Sequence, residues 1–259
     1  MTWFPLFLNL AALGTAGTIA VVPYREIGKY YFKFHVLLAL IAVALAVGLG
    51  RPWMSLGGGP PLARTAAAAS MLFALLVLLE YAVVRAAGEE LRKDALLLPV
   101  STGALAVALA AFAGAGHGTA GAALLAAHLL TSAAVLGTSL VAMSTGHWYL
   151  ANAKLSFDIL VRLCRLFVAA LGAKAVVSAI YLATRWETYG ALEAFDQLAI
   201  AVRVLAGLVL AFALAWMSLV CAKSRSNQSA TGILYVGVVF VLIGETISMY
   251  LTLGAGRPV

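Results

Sequence analysis

The chain has 259 residues, of which 64% are hydrophobic and 10% charged, with a formal net charge of +7 and a mean hydropathy of +1.03. Soluble globular domains are about 45–50% apolar and about 25% charged, so that class is excluded. Disordered, collagen-like and disulfide-scaffold chains are excluded too, because apolar residues dominate and only two cysteines are present.

What remains is an all-α polytopic transmembrane helix bundle forming one integral membrane domain over residues 1–259. At about 20 residues per crossing, the length allows about eight helices and no sizeable soluble domain. Strands of a β-barrel would alternate apolar and polar residues, and runs such as Leu105–Phe112 and Leu208–Leu214 show no such alternation.

Eight apolar segments follow in order. The first, 3–22, has no preceding basic residue and no cleavage site after it, which predicts a retained helix rather than a signal peptide. The second, 30–49, carries His35, and the third, 65–84, carries Glu80. Between them, 51–64 holds Gly57-Gly58-Gly59-Pro60-Pro61, which cannot continue a helix. A charged loop is expected over 88–94, then a fourth segment over 96–114 and a fifth over 120–144. These two are rich in alanine; with Gly14 and Gly17 of the first segment, they let helix backbones approach closely in lipid.

A polar and aromatic connection is expected over 147–158, and a sixth segment over 157–184. The loop 186–196 carries Trp186 and Tyr189, residues suited to the water–lipid boundary. The seventh segment, 198–222, reads as an uninterrupted apolar run. The eighth, 230–253, is expected to open on Ser229 as its N-cap.

Cation placement predicts the orientation. Arg25, Lys29, Lys33, Arg85, Arg92, Lys93, Lys154, Arg162, Arg165, Lys223 and Arg225 fall on one side, against Arg51, Arg64, Arg185 and Arg257 on the other. The positive-inside rule then puts both termini on the outer, periplasmic side of a bacterial inner membrane. The net charge is thereby a topology signal, and no compact basic domain suggests a nucleic-acid partner.

Ionisable residues at membrane depth are costly unless paired or hydrated, which makes them the places to look for function. His128, Lys174, Arg203 and Glu245 fall at a similar level in the outer half of four different segments. Two readings stand. Glu245 paired with Lys174 or Arg203 is a clamp that fixes helix packing. Alternatively the four residues form a quinone- or proton-binding site, with Arg203 near enough to the boundary to snorkel instead. A second, inner group comprises His35, Glu80 and His147, with Arg162 and Arg165 nearby.

Haem b would need two facing imidazoles, and His35 with His147, or His117 and His128, are the available ligands. No CxxCH is present, and Cys164 and Cys221 are isolated, so neither covalent haem, a metal site nor a disulfide is expected. Nucleotide-binding and metalloprotease motifs are missing, as are the matched Gly/Pro breaks that mark many transporters.

The last two segments read Ala201-Val202-Arg203-Val204-Leu205 and Val241-Leu242-Ile243-Gly244-Glu245. This pattern resembles the closing helices of the DmsC/NrfD/PsrC type of quinone-interacting membrane anchor. The family's basic and aromatic continuation after Gly-Glu is replaced here by Thr246-Ile247-Ser248-Met249-Tyr250. The resemblance implies eight or more helices and a subunit with no redox centre of its own. It also implies quinol bound near the outer surface and electrons passed to iron–sulfur or cytochrome partners. Catalysis would then reside in another subunit. Quinol oxidation releases protons with electrons, so such a site needs a proton acceptor and donors to the quinone oxygens. Glu245 and His128 have the first chemistry, Lys174 and Arg203 the second. The other readings the residues leave open are a haem b cytochrome subunit, a small-solute or proton transporter, and a non-catalytic anchor.

Overall fold

A computed structural model describes residues 3–52, 60–86, 93–114, 118–151, 156–184 and 193–253. Every element among them is helical. In chain order these are α1 (Trp3–Ile19), the single turn α2 (Tyr24–Ile27), α3 (Lys29–Gly50), α4 (Pro61–Ala86), α5 (Lys93–Gly114) and α6 (Gly118–Ala151). They continue with α7 (Phe157–Thr184), α8 (Ala194–Val204), a π-helical turn (Leu205–Leu210), α9 (Ala211–Lys223) and α10 (Asn227–Leu253).

Seven described helices are long and apolar enough to cross a membrane, counting Ala194–Lys223 as one, and α1 is a shorter apolar eighth. The physical reason is common to all. In hydrocarbon a backbone N–H or C=O finds no water, so an apolar run must close its hydrogen bonds within itself. Hydroxyl side chains in these helices do likewise: in α6, Thr131 donates to the Ala127 carbonyl at 2.8 Å, Ser132 to His128 at 3.0 Å and Thr138 to Ala134 at 2.6 Å. Back-bonding of this kind makes a hydroxyl tolerable at membrane depth.

Helix ends differ from the sequence expectation in informative ways. Pro61 starts α4 rather than lying in the preceding loop, since its missing N–H costs nothing at a first helical position. α6 continues through Ala151, so His147, Trp148 and Tyr149 ride on a helix instead of a connection. α10 begins at Asn227, which places Ser229 inside the first turn. Ser226 takes the position before the helix, its carbonyl accepting from Ala230 at 2.9 Å and its hydroxyl donating to Ser229 Oγ at 3.0 Å. Gly28, between α2 and α3, has φ +89°, a conformation that glycine adopts without strain. The segments 53–59, 87–92 and 185–192, with Trp186 and Tyr189, lie outside the described residues, as does His117.

The described helices gather into two compact units, Met1–Ala133 and Ala134–Val259. In the first, α1 packs on α3, α3 on α4, α4 on α5, and α5 back on α1, which closes a ring of four helices. Gly103 of α5 sits where α1 and α4 converge. A Cβ there would meet Leu13 Cδ1 at 2.8 Å and the Phe73 ring at 2.9 Å. Gly103→Ala is therefore expected to destabilise by about 1–3 kcal/mol through overpacking, measured by thermal unfolding in detergent.

In the second unit α7 packs on α9, and α10 packs along α8, the π turn and α9. The C-terminal part of α6 meets α10 where a Cβ on Gly146 would lie 2.6 Å from Thr231 Oγ1. One turn further along α10, Tyr235 OH stands 3.0 Å from His147 Nδ1.

Candidate functional site

The second unit buries three charged side chains against one another. Lys174 projects from the middle of α7, Arg203 from the last turn of α8, and Glu245 from α10. All three are fully buried. Arg203 Nη2 donates to Glu245 Oε1 at 2.9 Å, and Lys174 Nζ lies 3.8 Å from Glu245 Oε2. Arg203 therefore does not snorkel to the boundary; it turns inward to the carboxylate. The carboxylate takes one cation on each oxygen.

The backbone explains how Arg203 gets there. Buried positions along this span run Arg203, Gly207, Ala211, Ala215, each four residues after the last. In a regular α-helix at 3.6 residues per turn, every such step drifts about 40° around the axis. The wide π turn over Leu205–Leu210 takes up that drift and keeps the row facing α10. The apolar run 198–222 is thus helical throughout but not α-helical throughout. Such single π turns are frequent at functional sites.

Two glycines let the helices touch. A Cβ built on Gly207 would lie 2.5 Å from Gly244 Cα and 2.9 Å from Arg203 Nη1, and Gly244 meets Gly207 Cα and the same guanidinium reciprocally. The backbones of the π turn and α10 are therefore in direct contact, one residue before Glu245. Arg203 tucks beside that crossing. Sequence reading missed Gly207 as a partner of this site; the signal available was the four-residue row of small side chains following an arginine.

From the triad, buried polar side chains continue toward one end of the unit. Ser178 and Tyr181 follow Lys174 on one face of α7, and Ser248 and Thr252 follow Glu245 on α10. Thr252 Oγ1 donates to the Ser248 carbonyl at 2.7 Å. Ser178 Oγ is buried and makes no hydrogen bond among the described residues. These residues run toward the helix ends at Thr184 and Leu253.

The remaining sequence-derived positions fall as follows. His128 is fully buried on α6, within the first unit. His35 and Glu80 are also buried in the first unit, on α3 and α4. His147 is exposed beside Tyr235 in the second unit, and Arg162 and Arg165 are exposed on the first turns of α7. The triad is what the structure brings together; the inner group divides between the two units.

Comparison with family models, with characterised proteins and with solved structures gives no match. Fold and site together define a polytopic helical membrane protein with a fully buried two-cation, one-carboxylate triad.

Proposed function

We propose that this chain is an integral membrane subunit of an electron-transfer complex and that the triad binds the headgroup of a quinone. The observation that carries this reading is the triad's composition at membrane depth: two cationic side chains held around one carboxylate, next to a π turn. A clamp for packing alone needs one cation per carboxylate. The second cation supplies hydrogen-bond donors that a neutral acceptor such as a quinone carbonyl can use. Arg203, whose guanidinium carries five donors, orients the ring oxygen, while Glu245 holds or receives a proton between the two cations. Lipid gives the apolar tail its route to the site.

The buried row of Ser178, Tyr181, Ser248 and Thr252 supports proton passage to the outer face, where both chain termini would also lie. Iron–sulfur or cytochrome subunits docked on that face would exchange the electrons, and the membrane would be a bacterial inner membrane. The sequence resemblance to quinone-interacting anchors supports the same reading.

The test is photo-crosslinking of the purified full chain in liposomes with an azido-quinone, against an azido-lipid of equal tail length. Label is expected on peptides carrying Lys174, Arg203 or Glu245, and less in Arg203→Gln. Equal labelling by the lipid probe would overturn the proposal. So would a Soret band in the purified chain with no quinone labelling, which would indicate a haem protein.

A further inference from the structure

A second buried carboxyl, Glu80, has none of the partners that surround Glu245. It lies on the buried stripe of α4 formed by Phe73, Val77, Glu80 and Val84, and it is 3% exposed. Neither carboxyl oxygen makes a hydrogen bond, and no ion pair reaches it among the described residues. It stands six residues, about 9 Å, inside the end of a helix that reads as a membrane span. An ionised carboxylate without a counter-charge is not tolerated there, whereas the neutral acid is.

Among the described residues, no cation of the helices packed on α4 pairs with Glu80. α3 and α4 are antiparallel neighbours, and Tyr31 lies as far from Gly50 as Glu80 does from Pro61, nineteen positions in each case. His35, one turn deeper on α3 and 2% exposed, has its Nδ1 2.8 Å from the Tyr31 carbonyl. That contact assigns a ring proton to Nδ1. Lys29 and Lys33 of the same helix instead lie over the exposed ring of Tyr30, at 5.8 and 5.7 Å. On α4 itself, Arg85 is exposed and Tyr81 half-buried.

On α5, residues 96–114 include no titratable side chain, but Pro99 is buried at the level of Glu80. Each is six positions from its end of the α4–α5 hairpin. A proline inside a helix lacks the N–H that would close on the carbonyl four residues back.

We propose that Glu80 is a proton-binding site: a carboxylic acid kept neutral in the first unit by burial without a counter-charge. The site is separate from the triad and does not depend on quinone binding.

A membrane-soluble carbodiimide tests this in the wild-type chain. The reagent takes the proton of a neutral carboxylic acid and bonds its central carbon to the carboxyl oxygen, and a salt-bridged carboxylate is a poor substrate. Dicyclohexylcarbodiimide applied to the full chain in lipid vesicles, followed by peptide mass spectrometry, is expected to label Glu80 and spare Glu245. Labelling of Glu245 with Glu80 spared would overturn the proposal. An infrared comparison supplies the second measurement: the neutral-carboxyl C=O stretch is expected in wild type and lost in Glu80→Gln. Loss of a carboxylate band instead would overturn it. Because the labelling uses the native chain, the proposal stays testable if the variant fails to fold.

Discussion

Glu245→Gln is expected to destabilise the chain by about 3–5 kcal/mol, the cost of leaving buried charge uncompensated after one partner is removed. Two cations depend on that carboxylate, Arg203 at 2.9 Å and Lys174 at 3.8 Å, and all three side chains are buried. Unfolding by denaturant in mixed micelles measures the loss, and a double-mutant cycle with Arg203→Gln separates the pair from its surroundings. A coupling of about 0.5–3 kcal/mol is the expectation for residues in one such network. The informative control replaces all three, Lys174→Met, Arg203→Met and Glu245→Met together. A buried ion network exchanged for apolar groups of similar volume is often neutral or stabilising. A stable triple variant that no longer takes the azido-quinone label would separate folding from binding. A stable triple variant that still takes the label would show that the triad does not hold the headgroup. Single-variant losses of only a few tenths of a kcal/mol would place the triad in contact with water and remove the premise of desolvated charge.

Much of the helical architecture is legible in the sequence because lipid admits so few backbone solutions. The sixth expected segment coincides with α7 from Phe157 to Thr184, and the others differ from the observed helices by a turn or two at their ends. Those ends are where the apolar signal stops being decisive. α6 extends past Ser144 to Ala151 because His147, Trp148 and Tyr149 are as compatible with an interfacial helix as with a loop. The depth count also placed Lys174, Arg203 and Glu245 at one level, since rise per residue is fixed. What a count of levels lacks is azimuth. It gave no means of seeing that Arg203 points to α10, because the π turn re-phases that face, and it grouped His35 and Glu80 with His147, Arg162 and Arg165 across two units. Distinguishing the paired Glu245 from the partnerless Glu80 likewise needed side-chain positions, for both are lone glutamates in apolar runs.

Gly207→Ala and Gly244→Ala are each expected to cost about 3 kcal/mol, the upper part of the range for overpacking. The obstacle at Gly207 is backbone: its Cβ would fall 2.5 Å from Gly244 Cα, and no rotamer change relieves that. The π turn and α10 must then move apart, which lengthens the bond from Arg203 to Glu245 and couples a packing defect to the charge network. Two other glycines in the same unit provide the contrast. A Cβ at Gly172 meets nothing within 4 Å, and one at Gly237 makes ordinary contacts of 3.8 Å with Leu214 and Phe167. Alanine at Gly172 is expected to be neutral or to stabilise by about 0.5–1 kcal/mol, through helix propensity alone. Thermal unfolding of the four variants in one detergent checks the ordering. Equal effects at Gly207 and Gly172 would mean that the two backbones are not in contact. If instead the ordering holds and Gly207→Ala also lowers azido-quinone labelling while Gly237→Ala does not, the close crossing is what holds Arg203 on Glu245. Helix packing would then set the donor geometry of the site.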